Sequence, residues 1–151
     1  MSIADEFPKR YEPKLIEKKC QDAWATQRHK LYAFDSSSSK PVFSIDTPPP
    51  TVSGRLHIGH VFSYTHTEII SRYKRMRGFN VYYPFGYDDN GLPTELLTEK
   101  DNGVKAYQTD RRKFREMCRE TGLKYSDLFK NLWLSMGFSC DFDSAYSTIS
   151  E

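Results

Sequence analysis

The sequence predicts an α/β fold with parallel strands, preceded by an N-terminal helix and followed by further helices. Two observations carry this expectation. The short apolar runs Val42-Phe43-Ser44-Ile45-Asp46 and Phe79-Asn80-Val81-Tyr82-Tyr83 are each bounded by proline, which cannot donate to a strand ladder. Between them, residues 57–77 carry Ile58, Phe62, Thr65, Ile69, Tyr73 and Met76 at three- and four-residue intervals, the spacing of one helical face. Strand, helix and strand in this order form a βαβ unit with parallel strands and a right-handed crossover.

The remaining elements follow in order. Residues 13–31 read as an amphipathic helix. Pro13 sits in its first turn, and Leu15, Ile16, Cys20, Ala23 and Trp24 lie on one side, so its role is packing. Ser36-Ser37-Ser38-Ser39 is a polar loop, and residues 1–40 together form an N-terminal extension ahead of the α/β unit at 41–151. Gly78 ends the central helix. Arg72, Lys74, Arg75 and Arg77 suit that helix's negative end and read as a solvated face. The segment from Phe85 to Thr94 reads as a loop. Thr109-Asp110 caps a helix running to about Arg119, with Phe114 and Met117 inward, and Gly122 breaks it. A second helix runs from Tyr125 to Met136, with Leu128, Leu132 and Met136 in a stripe beside Phe129 and Trp133. The tail from Phe138 shows no clear element. Arg111, Arg112, Lys113, Arg115 and Arg119 alternate with Asp110, Glu116 and Glu120 and also read as solvated.

Composition excludes several classes. The 151 residues make about one domain. With 22 Lys plus Arg against 20 Asp plus Glu, the net charge of +2 rules out a basic arm or an acidic tail. Aromatic residues at 15% are too many for a disordered chain. No apolar run approaches the roughly 18 residues of a membrane span, and no secretory signal is read at the start. Cys20, Cys118 and Cys140 include no C-x-x-C pair. They fit three reduced thiols in a cytoplasmic protein rather than a disulfide or zinc framework.

Two loops leave the carboxyl ends of the two predicted strands, one at Pro48–Gly54 and one at Phe85–Thr94. Open α/β sheets bind ligands in that crevice. His57-Ile58-Gly59-His60 opens the central helix directly after the first loop. Its histidines project on one side, Gly59 leaves room for a flat ligand surface, and free backbone N–H groups with a positive dipole behind them suit phosphate. The histidines would donate to phosphate oxygens as charge develops. Two surface histidines or a metal pair are the plainer alternatives, although no third ligand stands nearby to support zinc. The proline-rich loop before the motif and the long helix after it favour a nucleotide site. Asp88-Asp89, before Asn-Gly and Pro, is compatible with a site or with plain turn chemistry.

The stretch Pro48-Pro49-Pro50-Thr51-Val52-Ser53-Gly54-Arg55-Leu56-His57-Ile58-Gly59-His60 resembles the adenylation signature of the class I aminoacyl-tRNA synthetases. The helix Glu68 to Gly78 and the loop Asp88-Asp89-Asn90-Gly91-Leu92-Pro93-Thr94-Glu95 are similar to those of the valine, isoleucine and leucine branch. The proline triplet joined to the second loop is closest to the valine type of archaeal-like sequence. The resemblance runs from about Tyr11 to the end. It implies the first half of a Rossmann-like nucleotide-binding catalytic domain.

It also implies ATP with Mg²⁺ as cofactors, valine and tRNA(Val) as partners, and the formation of valyl-adenylate followed by transfer to tRNA. Ser53, Gly54, His57, Gly59 and His60 would hold ATP, with His57 and His60 catalytic. Pro48, Pro49, Thr51 and Asp88 would hold the amino acid, Asp88 accepting its α-ammonium, and no protein metal site is expected. The family's second signature, K-M-S-K-S, is not in the sequence, and its editing and anticodon-binding domains are not recognisable. The resemblance therefore implies an N-terminal fragment whose chemistry is completed only in a longer protein, and which is inactive alone. The alternative is a freestanding relic that binds a nucleotide, an amino acid or a protein without catalysis.

Overall fold

A computed structural model describes residues 10–150, with the backbone alone at 28–31. The elements run α1 (Pro13–Tyr32), β1 (Val42–Ser44), α2 (Ile58–Met76), β2 (Asn80–Tyr82), β3 (Pro84–Tyr87), α3 (Leu92–Asn102), a 3₁₀ turn (Ala106–Gln108), α4 (Arg111–Ser135) and β4 (Asp141–Ser147).

β1 and β2 pair in parallel, with Phe43 opposite Val81, as the βαβ reading requires. Residues 84–87 are a correction: they form a strand, not a loop, and pair in parallel with β4, itself unforeseen. Pro84 opens this strand rather than ending the previous one, since a first strand residue need not donate. The register shifts between Pro84 and Gly86. That irregularity hides the period-two pattern in Asp141-Phe142-Asp143-Ser144-Ala145-Tyr146-Ser147. Gly86 is needed there, because a Cβ would run into the Tyr146 ring.

The face of α2 is also corrected. Ile58, Phe62, Ile69, Tyr73 and Met76 are exposed, whereas Glu68 and Ser71 are buried. A charged side chain enters an interior only when paired and hydrogen-bonded, and here it is. Glu68 accepts from Arg72 Nε at 2.6 Å and from the Ser139 N–H at 2.9 Å. Arg72 also donates to the Gly137 carbonyl, and Arg75 donates to Ser71 Oγ and Ser139 Oγ. Lys74 lies over the Phe43 and Phe79 rings, 4.4 and 4.9 Å from their centroids. Of the four cations read as solvated, three are therefore built into packing. Arg72 and Arg75 clamp α2 to the turn between α4 and β4, and Lys74 packs it against the rings flanking β1 and β2. Arg77 is exposed.

α4 is one helix of 25 residues, not two. Asp110 caps it as expected, accepting from the Arg112 and Lys113 N–H groups at 3.1 and 3.0 Å. Gly122 lies inside it and is buried, with a would-be Cβ 3.5 Å from Asp89 Cβ. A helical glycine costs only about 1 kcal/mol, and close packing against the Asp89 side chain offsets that. The inward stripe is Phe129 and Trp133, while Leu128 and Met136 face solvent. Phe114 is inward as expected.

The core is largely aromatic. Phe85 meets Phe142 at 4.9 Å, and Trp133 meets Phe138 at 4.7 Å and Tyr64 at 5.3 Å between centroids. α1 matches its predicted span and packs through Ile16, Cys20 and Trp24, with Leu15 and Ala23 exposed. Trp24 covers Gly137, and Gln21 donates to the Ser135 carbonyl at 2.8 Å. The serine loop is held by Asp35, whose Oδ1 accepts from the Ser37 N–H at 2.9 Å. Cys20, Cys118 and Cys140 form no disulfide.

Trp133 is fully buried at the centre of this cluster. Trp133→Ala is expected to cost about 3–5 kcal/mol, read as a lower denaturant midpoint with an unchanged slope. A midpoint shift worth under 1 kcal/mol would mean that the aromatic cluster is not the core.

Candidate functional site

Both predicted loops meet. Residues 80–88 run forward almost without interruption, and the segment after β1 lies beside their far end. The Val52 N–H donates to the Asp88 carbonyl at 2.7 Å, and the Asp88 N–H donates to the Pro50 carbonyl at 3.1 Å. The side chains repeat this link, since Thr51 Oγ1 donates to Asp88 Oδ2 at 2.9 Å. Asp88 Oδ1 has a long contact of 3.5 Å with Thr148 Oγ1. Asp88 is half-buried and has no cationic partner among the described residues. Its neighbour Asp89 is buried and takes a structural part. Its carboxylate accepts from Ser147 Oγ at 2.7–2.8 Å and from Thr148 Oγ1 at 3.0 Å, which ties down the end of β4.

Pro48 is exposed and Pro49 half-buried. The Pro48 carbonyl accepts from Tyr64 Oη at 2.6 Å, which fixes the proline triplet against α2. Burial, with a smaller push from Tyr146, raises the Tyr64 pKa to about 12, so the hydroxyl stays a donor.

At the start of α2 the two histidines cap the helix reciprocally. His57 Nδ1 accepts from the Gly59 N–H at 3.1 Å, and His60 Nδ1 accepts from the His57 N–H at 3.3 Å. The expectation of free N–H groups here is therefore corrected: those of His57, Gly59 and His60 are all engaged. The chemistry gains something in exchange. A neutral ring whose Nδ1 accepts must carry its proton on Nε2, so both rings keep an Nε2–H donor for a ligand. The ring centroids are 4.1 Å apart. Burial, then the charge of His57, pushes the His60 pKa below its ordinary value. Gly59 serves this cap, since a Cβ there would stand 2.9 Å from His57 Cε1.

Ser53, Gly54, His57 and His60 line one cleft of about 810 Å³. Its other wall is α3, through Leu92, Leu96, Lys100 and their neighbours Pro93, Leu97 and Asp101, with Tyr125 from α4. Thr94 Oγ1 donates to the Val52 carbonyl at 2.9 Å and so sets α3 against this loop. Gly59, Pro48, Pro49, Thr51 and Asp88 are not in the cleft wall. Thr51 lies two residues before Ser53, a reach of at most about 7 Å, so the Asp88 pair adjoins the cleft without sharing it. The sequence reading missed the α3 wall and Arg55. The recurrence of Leu92, Leu96 and Lys100 every four residues is the helical signal that would have found the wall. No cluster of three His, Cys, Asp or Glu able to hold a metal exists among the described residues.

The family profile described as "tRNA synthetases class I (I, L, M and V)" matches residues 19–151, and the chain belongs to that family. Among curated relatives it is 50% identical over 151 residues to the valine–tRNA ligase of Ehrlichia ruminantium (strain Gardel), covering 100% of this chain and 18% of the relative. It is 49% identical over 142 residues to that of Anaplasma marginale (strain St. Maries), covering 94% of this chain and 17% of the relative. The chain therefore spans about a sixth of the length of these relatives. A solved leucyl enzyme from Agrobacterium radiobacter K84 (agnB2 LeuRS), crystallised in a ternary complex with tRNA and LeuAMS, superimposes with a TM-score of 0.76 at 25% identity. That match covers 93% of this chain and 16% of the other.

Two outcomes are expected. Gly59→Ala should displace the His57 ring and remove the cap, at about 1 kcal/mol, read as faster amide exchange at residues 59–61. Unchanged exchange would dismiss the cap. Because the folded-state pKa of His60 lies below its ordinary 6.5, the neutral ring is the folded form. Its stabilisation is therefore present above about pH 6.5 and lost as pH falls. A ring titration by NMR should show Nε2–H tautomers at neutral pH and loosening of the first turn of α2 in acid. Nδ1–H tautomers would contradict the geometry.

Proposed function

We propose that this chain is the N-terminal part of a valine–tRNA ligase. Residues 41–151 then supply the first half of the catalytic domain, and residues 1–40 an N-terminal extension. The observation that carries the reading is Asp88, a half-buried carboxylate fixed by Thr51 and lacking a cation among the described residues, beside a cleft lined by His57 and His60. A half-buried carboxylate without a countercharge carries a desolvation cost, and the α-ammonium of an amino acid would offset it.

In this reading Asp88 holds the ammonium, with Thr51, Pro48 and Pro49 beside the side chain of valine. ATP lies along Ser53 and Gly54, with Gly59 contributing by seating the His57 ring beside it. An oxygen of the valine carboxylate attacks the α-phosphorus, and the bond from that phosphorus to the bridging oxygen breaks. Valyl-adenylate forms and pyrophosphate leaves. His57 and His60 donate Nε2–H bonds to phosphate oxygens as charge builds, acting by position and electrostatics rather than by covalent attachment. Transfer of the valyl group to tRNA(Val) follows in the longer protein. Mg²⁺ would arrive with the nucleotide, and the proposed steps rest on side chains. A cytoplasmic location belongs to this reading; no described helix is long and apolar enough to cross a membrane. A small apolar pocket separates valine from a ligand one methylene different by only about 1–3 kcal/mol.

Valine-dependent pyrophosphate exchange tests this. The longer protein should exchange, and the 151-residue chain alone should not. Asp88→Ala should weaken valine binding by at least tenfold, while Asp88→Glu restores part of it. Unchanged valine affinity in Asp88→Ala would refute the ammonium assignment, and robust exchange by the isolated chain would refute its incompleteness.

A further inference from the structure

The cleft beside the histidines holds two cations that the reading above does not use. Arg55 comes from the loop side and Lys100 from α3, so they face the cavity from opposite walls. Asp101 is the one acid in that lining, and it is already engaged: its Oδ2 accepts from Lys124 Nζ and from Tyr125 Oη, both at 3.0 Å. Those bonds hold its pKa below the usual carboxylate range, and Lys124 balances its charge. Lys105 is likewise spent on Glu99, at 2.7 Å. Among the described residues, neither Arg55 nor Lys100 makes an ion pair or a side-chain hydrogen bond. Lys100 acts on Asp101 only as a more distant charge, so the cleft carries two cations outside any ion pair beside the two histidine N–H donors.

We propose that Arg55 and Lys100 grip the polyphosphate tail of the nucleoside triphosphate, with His57 and His60 beside them on the same anion. The assignment rests on the nucleotide reading and adds the residues that distinguish a triphosphate from a monophosphate. The planar guanidinium of Arg55 can engage two phosphate oxygens at once, and Lys100 adds a compact charge from the other wall. Both side chains reach the cavity from exposed backbone positions, so their substitution leaves the core untouched.

The test is calorimetric titration of the longer protein with ATP, AMP, tripolyphosphate and a short single-stranded RNA, for Arg55→Gln, Lys100→Gln and the double variant, with thermal unfolding as the folding control. Each single change should weaken ATP and tripolyphosphate about tenfold or more, leave AMP unchanged, and flatten the salt dependence of ATP binding. Arg55→Lys should recover part of the loss. ATP affinity unchanged in both variants would overturn this assignment and leave the nucleotide site standing. Equal losses for AMP and ATP would overturn it as well. So would a loss confined to a short single-stranded RNA, which would make these cations a backbone contact instead. An unaltered longer protein that binds no adenine nucleotide would remove both the inference and the reading beneath it.

Discussion

The pairing of Pro50–Val52 with Asp88 is the constraint from which the site follows. Two backbone hydrogen bonds and one side-chain bond, from Thr51 Oγ1 at 2.9 Å, join loops 37 residues apart. Closing a loop of that length has an entropic cost, and the cost is met by continuing a parallel ladder already begun at β1 and β2. Once the ladder extends to Asp88, its carboxylate is fixed beside the threonine. The chain beyond Val52 must then turn at Gly54 into the start of α2. Thr94 brings α3 to the same place through the Val52 carbonyl. Four elements thus converge through one short run of backbone.

The histidine motif works through a different constraint. A helix start leaves several N–H groups without intrahelical partners. Here the two imidazoles satisfy two of them, and in doing so each surrenders Nδ1 and keeps Nε2–H. Local helix stability and the proposed phosphate recognition thus share the same rings. Gly59 belongs to this arrangement because the His57 ring lies where its Cβ would be. Its smallness serves the cap directly, and any ligand only through it.

Burial on α2 shows how charge can displace apolar surface from a core. Glu68, Arg72, Arg75 and Ser71 close a hydrogen-bonded set with the turn at Gly137–Ser139. Such a set is tolerated inside because its members are paired. The stripe Ile58, Phe62, Ile69, Tyr73 and Met76, which has the better helical period, is left in solvent. Periodicity identifies a helix and its apolar face, but not which neighbour is there to cover it.

The sequence by itself determined the first helix, the βαβ unit, the Asp110 cap and the two loops that approach each other. Each is written in local signals: helical spacing, prolines at strand ends, a capping side chain and a glycine stop. Only the tertiary structure decided that residues 84–87 and 141–147 are strands, that α4 runs through Gly122, that the Arg72 and Arg75 charges turn inward, and that α3 walls the cleft. Those outcomes depend on contacts between residues far apart, such as Asp89 against Gly122 or Glu68 with Ser139. No window of sequence contains both partners of such a contact, so their energies are invisible until the chain has folded.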